Sequence, residues 1–386
     1  MRSLVGLYAL WAWLFAALGL SIAVFGPALP ALRLDFGVSL AASGLLFSVH
    51  SVGYLLGVLV AGPLADARGR KVVTGSGAAA LAAGMAFGAA APDWPVLLAM
   101  MVLAGTGFAF VDVGLNAAIG DAVVGPGRRA AVMNLLHGAF PIGTLAGPAG
   151  LALAWSLGFD WRAAFLGTAA VTALALAGFA GRRAAWPRSV VASVHGHRPS
   201  RGVLRLLGEP YLRSLAAIQA LYVGVEIGVA GWVATYLVEE FGAGEADGAL
   251  VTAAYWAGFL IGRPAVAYLS HRVHPQRILP WLIVAGLAAG GVGVAAPAAL
   301  VASAAYALLG VAISGVFPTA IALAQEGRHD DAGSVTALIT AAAAVGGLTW
   351  PWLVGAVAQI AGLRAGMATA VAPLLPMLLI ALTALR

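Results

Sequence analysis

The sequence predicts an all-α integral membrane protein: twelve transmembrane helices in two pseudo-symmetric six-helix halves. Three observations carry that expectation. Of 386 residues, 62% are apolar and 9% charged, with mean hydropathy +0.96, whereas a soluble domain is about 25% charged. The charges fall in gaps between long uncharged runs. Residues of the first half recur in the second at an offset of 205 positions. This composition excludes an ordinary soluble enzyme, a disordered chain and a nucleic-acid binder.

Uncharged stretches cover 3–32, 36–65, 72–92, 130–159, 163–181, 278–325 and 332–363. Each can cross a hydrocarbon core of about 30 Å, and 278–325 suffices for two crossings with Pro297 as the break. The first stretch is too long for a signal-peptide apolar region of about 7–15 residues, so it reads as a retained helix. The predicted spans are 7–30, 40–64, 72–91, 96–119, 131–156, 163–181, 214–238, 249–270, 278–296, 298–325, 333–360 and 366–384. Twelve spans of about 22 residues take about 264, which leaves short loops and no separate folded domain. The chain has no cysteine, which excludes disulfides, thiolate metal sites and cysteine catalysis.

Lys and Arg set the orientation. With the N-terminus inside, 17 of the 21 basic residues face the cytoplasm and only Arg33, Arg162 and Arg364 lie outside, with Arg263 inside a helix. The positive-inside rule favours this arrangement, so the pI of 10.1 reports topology rather than a polyanion partner. The expected location is the inner (plasma) membrane, multi-pass, with both termini cytoplasmic. Trp11, Trp94 and Trp186 are expected to anchor helices at the membrane interfaces.

The repeat defines the domains. Gly19, Ile22, Gly26, Phe36 and Gly37 match Gly224, Ile227, Gly231, Phe241 and Gly242. Gly53, Leu55, Gly57 and Leu64 match Gly258, Leu260, Gly262 and Leu269, and Gly105 matches Gly310. The expected organisation is 1–181 as the first half, 182–213 as a basic cytoplasmic linker, and 214–386 as the second half. Parallel halves of this kind place a substrate site near the midplane. The 51 glycines are chiefly a helix-packing signal.

The segment Gly62-Pro63-Leu64-Ala65-Asp66-Ala67-Arg68-Gly69-Arg70-Lys71 stands between the second and third spans. Gly62 is expected to permit close approach to a neighbouring helix, Asp66 to pair with Arg70 and a helix N-terminus, and Gly69 to allow a tight turn. This spacing resembles the signature loop of the major facilitator superfamily. In that family the loop is a conformational latch, so Gly62, Asp66, Gly69 and Arg70 are assigned to gating. At the repeat-equivalent position of Asp66 stands His271, so the second-half latch reads as degenerate.

Two acids, Asp112 and Glu226, fall well within predicted spans. An intramembrane carboxylate costs about 2.5–3.5 kcal/mol on insertion scales and is a functional candidate. Asp112 and Asn116 share a helix face at i, i+4. Asp112 and Arg263 lie about 12 Å, and His137 about 10 Å, from the cytoplasmic end, counting rise per residue. Asp112, Glu226, His137 and Arg263 are therefore the proton-coupling candidates, with His137 or Arg263 tuning Asp112. Asn116, Gln219, Tyr222, Glu226, His50, Tyr54, Tyr255 and Trp256 are candidates for lining a polar substrate cavity.

Three stretches carry a closer resemblance: Gly105-Thr106-Gly107 through Asp112-Val113-Gly114-Leu115-Asn116, Met133-Asn134-Leu135-Leu136-His137-Gly138, and Tyr222-Val223-Gly224-Val225-Glu226 through Trp232. With Gly262-Arg263 and Phe317-Pro318-Thr319, they resemble the fucose–galactose–glucose:proton symporter family. There the acid four residues before Asn handles proton and sugar, a role the resemblance extends to Asp112 and Asn116. The chain departs in lacking an Asp in the first span and in having only two Asn. The expected function is proton-coupled symport of a small polar solute such as a sugar, by alternating access. The alternative is proton-coupled export of amphipathic drugs or metabolites, favoured by the scarce amides and a partial antiporter-like Gly143-x-x-x-Gly147-Pro148. The expected partners are the solute, the proton and the lipid bilayer, with no cofactor, metal or nucleic acid, and the unit of function is a monomer. No catalytic nucleophile or phosphate loop is present, and His195-x-His197 reads as solvated linker.

Overall fold

The computed structural model describes residues 2–123, 132–133, 135–181, 186, 203–326 and 332–385. The linker expected at 182–213 therefore falls largely outside the described residues, as do Asn134 and His195-x-His197. Every regular element among the described residues is a helix. In order they are α1 (Arg2–Ala23), α2 (Phe25–Phe36), α3 (Leu40–Arg68), α4 (Arg70–Ala89), α5 (Trp94–Ala122), α6 (Ala139–Ser156), α7 (Arg162–Gly181), α8 (Val203–Leu206), α9 (Pro210–Phe241), α10 (Glu245–Ser270), α11 (Pro275–Val294), α12 (Ala299–Ile313), α13 (Val316–Gln325), α14 (Ala332–Ala361), α15 (Leu363–Val371) and α16 (Leu374–Thr383).

Eleven stretches among the described residues are long and apolar enough to cross a membrane. The fifth predicted span is represented by α6, which adds an apolar helix of 18 residues. Among the described residues four predicted spans are interrupted: the first at Val24, the fifth at Gly138, the tenth at Ser314–Gly315 and the twelfth at Ala372–Pro373. The cause is shared. Pro27, Pro141, Pro318 and Pro376 each stand three or four residues after a break, where the ring removes one N–H and clashes with the carbonyl four residues back. Pro63, Pro148, Pro264, Pro280 and Pro351 sit in helices that run through.

Helix ends follow local chemistry. Asp93 caps α5 by accepting from the Val96 N–H at 2.9 Å, with Pro95 in the first turn. Gly37 and Gly242, a repeat pair, close α2 and α9 in the left-handed conformation at φ 61° and 67°, where glycine carries no Cβ penalty.

Contacts divide the chain into two units, Met1–Val38 with Val49–His195, and Ser39–Ser48 with Gly196–Arg386. The repeat reappears in how helices touch inside each. A Cβ on Gly105 would meet the His50 carbonyl oxygen at 2.0 Å, and one on Gly310 would meet the Tyr255 carbonyl oxygen at 2.1 Å. These are matching crossings, α3 on α5 and α10 on α12. In the first unit α1 crosses α6, where a Cβ on Gly143 would meet the Ala16 carbonyl oxygen at 1.8 Å. In the second, α9 crosses α14 and a Cβ on Gly346 would meet the Ala220 carbonyl oxygen at 1.9 Å. Such contacts admit only glycine.

Two sequence-based expectations do not hold. Gly62 permits no close approach, since an added Cβ would meet nothing within 4 Å. Trp11, Trp94 and Trp186 are packed inside the protein, at 0%, 9% and 8% exposure. Trp11 lies edge-on to Trp186 at 5.7 Å, and Trp186 stacks on Phe179 at 5.1 Å. Their burial wins because a ring wrapped by other rings gains more dispersion than it would at an interface.

Gly105→Ala and Gly310→Ala should each destabilise the protein by about 1–3 kcal/mol through overpacking. Gly150→Ala, with nothing within 4 Å of the new Cβ, should be neutral or stabilising because Ala is the better helix former. Thermal unfolding of the three variants in one detergent checks both directions.

Candidate functional site

In the first unit the close crossing at Gly105 sets α3 against α5 and aligns their polar faces. Tyr54, one turn after His50, donates its hydroxyl to Asp112 Oδ2 at 3.2 Å. Asn116 Nδ2 donates to Asp112 Oδ1 at 2.8 Å and to the Asp112 carbonyl at 2.9 Å. With its Nδ2 so committed, Asn116 Oδ1 is the acceptor for His137 Nε2 at 2.9 Å. The His137 ring also packs on Phe15 at 4.3 Å. Asp112, Asn116, His137 and Tyr54, drawn from separate lists of proton and substrate candidates, form one connected network. Tyr54 was expected to line a substrate cavity; here it is also a ligand of the carboxylate. The i, i+4 spacing exposed the Asn116 contact, but no spacing rule links Tyr54 or His137 to a helix far away in sequence.

His50 is buried at 4% exposure. Its ring meets Phe25 at 5.3 Å and Phe108 at 5.8 Å, both edge-on, and its Nε2 has no hydrogen-bond partner.

In the second unit α9 carries Gln219, Tyr222 and Glu226 and α10 carries Tyr255, Trp256 and Arg263. The Tyr255 hydroxyl donates to the Glu226 carbonyl at 3.2 Å. Glu226 lies within electrostatic reach of Arg263 and of the Tyr222 hydroxyl, which forms no hydrogen bond of regular geometry. Arg263 stacks over Phe259 at 5.7 Å. Tyr255, Trp256 and Phe259 form a ring cluster at 5.1–5.5 Å, and Tyr222 faces Phe317 at 6.2 Å. Arg263 thus has Glu226, rather than Asp112, as its carboxylate neighbour. Gln219 is fully buried, and neither amide atom has a partner.

The signature loop closes the end of α3 on α4. Gly69 takes φ 92°, as the expected tight turn requires. Arg70 pairs with Asp66 and, through Nε, with Asp121 at 3.1 Å. Asp121, at the end of α5, is the participant that the sequence reading missed. Its repeat mate Glu326 offered the only signal. In the second unit that Glu326 meets His274 Nε2 at 3.4 Å, so an acid is kept there with a histidine, not an arginine, beside it.

At the other end of each unit, Arg162 bridges Asp35 at 3.0 Å and Asp160 at 2.8 Å, while Trp161 Nε1 donates to Asp35 at 2.8 Å. In the second unit Arg364 Nε donates to Glu240 at 2.7 Å. Asp35 and Glu240 are repeat mates. Two of the three basic residues predicted outside are thus each tied to the acid that ends a helix. Among the described residues no group of three metal-ligating side chains converges.

A family model described as the Major Facilitator Superfamily matches residues 11–351. The gallate transporter of Pseudomonas putida is 29% identical over 335 residues, 77% of this chain and 71% of that protein. The sodium-dependent glucose transporter 1 of Rattus norvegicus is 30% identical over 141 residues, 36% of this chain and 29% of that protein. The crystal structure of a bacterial homolog to the human lysosomal transporter Spinster, inward-facing and occupied, superposes with TM-score 0.82 at 17% identity, covering 99% of this chain and 96% of that one. That of a D-xylose-proton symporter gives 0.79 at 14%, covering 97% of both chains. At such identities the solved structures speak for the fold alone. The family match across most of the sequence makes this multi-pass membrane protein a transporter and a member of the major facilitator superfamily.

Proposed function

We propose that the chain is a proton-coupled symporter of a small polar solute, a sugar or a similarly hydroxylated compound, working by alternating access. The observation that carries this reading is the clamp on Asp112. A carboxylate in a membrane-spanning helix is costly, yet here one oxygen accepts from Tyr54 and the other from Asn116. Asp112 remains half-buried rather than sealed, so the group is both held and reachable. His137 lies one amide away and within electrostatic reach. A proton on Asp112 removes the charge that these donors solvate, so protonation and the local hydrogen bonding change together. His50, with an unsatisfied buried nitrogen, and Asn116 are offered as solute ligands of this unit. Gln219, Tyr222, Glu226, Tyr255 and Trp256 are offered as those of the other. The gallate transporter relative supports a small polar solute.

In this reading the contacts of Arg70 with Asp66 and Asp121 are a latch that holds one access state, with Gly69 supplying its turn. Gly62 belongs to the same loop, without a packing role.

In liposomes with a trapped pH dye, an added solute of the right class should acidify the lumen, and Asp112→Asn should abolish the shift. Flux that survives Asp112→Asn would remove Asp112 as the carrier. Amphipathic compounds that move against an imposed proton gradient, with no sugar response, would replace symport by export.

Asn116→Leu should cost about 1–3 kcal/mol of stability by leaving Asp112 and His137 short of partners. Its melting transition should fall below that of the wild type even without solute, measured at fixed pH. The chain lacks cysteine, so single introduced cysteines report accessibility against no background. Asp66→Asn and Asp121→Asn should both shift labelling between the two faces in the same direction. Unchanged labelling in both would remove the latch.

A further inference from the structure

The polar groups within the spans are satisfied differently in the two units. In the first, Tyr54, Asp112, Asn116 and His137 satisfy one another, while His50 Nε2 has no partner. In the second, Gln219 Nε2 and Oε1, Trp256 Nε1 and Arg263 Nε are buried and have no hydrogen-bond partner, and the Tyr222 hydroxyl has Glu226 beside it. Buried polar groups are ordinarily paired, so a cluster of unpaired ones calls for a ligand. Of these four unpaired atoms three only donate and one only accepts. The complement of that set is a ligand rich in acceptors.

Charge narrows the class. An arginine keeps its proton in proteins, so in apolar surroundings it needs an anion in every state. Arg263 forms no ion pair or hydrogen bond among the described residues. Its neighbours are the Phe259 ring and the fields of Glu226 and Tyr222. The titratable and charged groups around Glu226 are Tyr222 on its own helix, with Tyr255 and Arg263 on α10. Glu226 is therefore the resident counter-charge, near Arg263 but not bonded to it.

Resting on the symport reading above, we propose that Arg263 and Glu226 form a carboxylate-exchange site, at which a ring-bearing organic anion pairs with Arg263 while a proton neutralises Glu226. The charges balance. The empty site holds one positive and one negative group. The loaded site holds Arg263, a neutral glutamic acid and the bound carboxylate. Uptake of the proton without the anion leaves Arg263 uncompensated, and uptake of the anion without the proton places two carboxylates beside one guanidinium. Each step is unfavourable alone, so the two are linked. Tyr222, Tyr255 and Trp256 border the two charges with aromatic rings, and Gln219 and Trp256 add unpaired donors on the same two helices.

The test is calorimetric titration of the purified full chain with benzoate, 4-hydroxybenzoate and neutral benzamide. Two buffers of different ionisation enthalpy give affinity and proton uptake together. In mildly alkaline solution benzoate should bind with uptake of close to one proton, and benzamide at least about tenfold more weakly. Arg263→Gln should weaken benzoate at least about tenfold and leave benzamide unchanged. Glu226→Gln should still bind benzoate but take up no proton. Should Arg263→Gln fail to fold, the double variant with Glu226→Gln removes both charges and replaces it. Equal binding of benzoate and benzamide, no benzoate binding, or proton uptake that persists in Glu226→Gln overturns the proposal. Sugar-driven acidification of liposomes without benzoate binding would overturn this site and leave symport standing. Arg263-dependent benzoate binding without proton flux would do the reverse.

Discussion

The close backbone contact at glycine is the constraint on which the rest of each unit depends. Lipid is as apolar as a leucine side chain, so helices in it gain little by hiding apolar faces and associate through packing and hydrogen bonds instead. Gly105 lets α5 come down on the His50 carbonyl. From that crossing Tyr54 and Asp112, one turn and two turns further along their helices, reach hydrogen-bond distance. At Gly310 the same contact with Tyr255 holds α10 where its Tyr255 hydroxyl reaches the Glu226 carbonyl. A larger residue at either glycine would separate the helices and with them the polar side chains.

On this shared scaffold the two units carry different chemistry. The positions that match in the repeat are the crossing glycines Gly105 and Gly310, the cap glycines Gly37 and Gly242, and acids at helix ends, Asp35 with Glu240 and Asp121 with Glu326. The polar side chains in the middle of the spans do not match. His50 has Tyr255 as its mate, and in the signature loop Asp66 has His271. The first unit ties Tyr54, Asp112, Asn116 and His137 into a chain of hydrogen bonds, while the second leaves donors unpaired around a separated pair of charges. The repeat keeps the residues that packing demands, while the polar residues within the spans differ.

The ends of the units show the same division. Arg70 holds two acids at once in the first, whereas His274 holds one in the second. An arginine fork engages two carboxylates with fixed charge, and a histidine contributes charge only when protonated.

Composition and hydropathy alone determined that the chain is helical and membrane-spanning, because lipid leaves the backbone no other way to satisfy its hydrogen bonds. The repeat and the loop Gly62–Lys71 located the paired halves and the family. Asp112, Glu226 and Arg263 stood out because a charge in an apolar run is rare. Local proline effects were legible in principle, yet the sequence does not distinguish Pro27, Pro141, Pro318 and Pro376, which accompany breaks, from Pro63 or Pro351, which do not. The partners were decided only by tertiary structure: Tyr54 on Asp112, Asp121 on Arg70, Glu226 rather than Asp112 beside Arg263, and Trp11 against Trp186. Each joins residues on different helices. Helical periodicity fixes which face a side chain shares, but not which neighbouring helix that face meets.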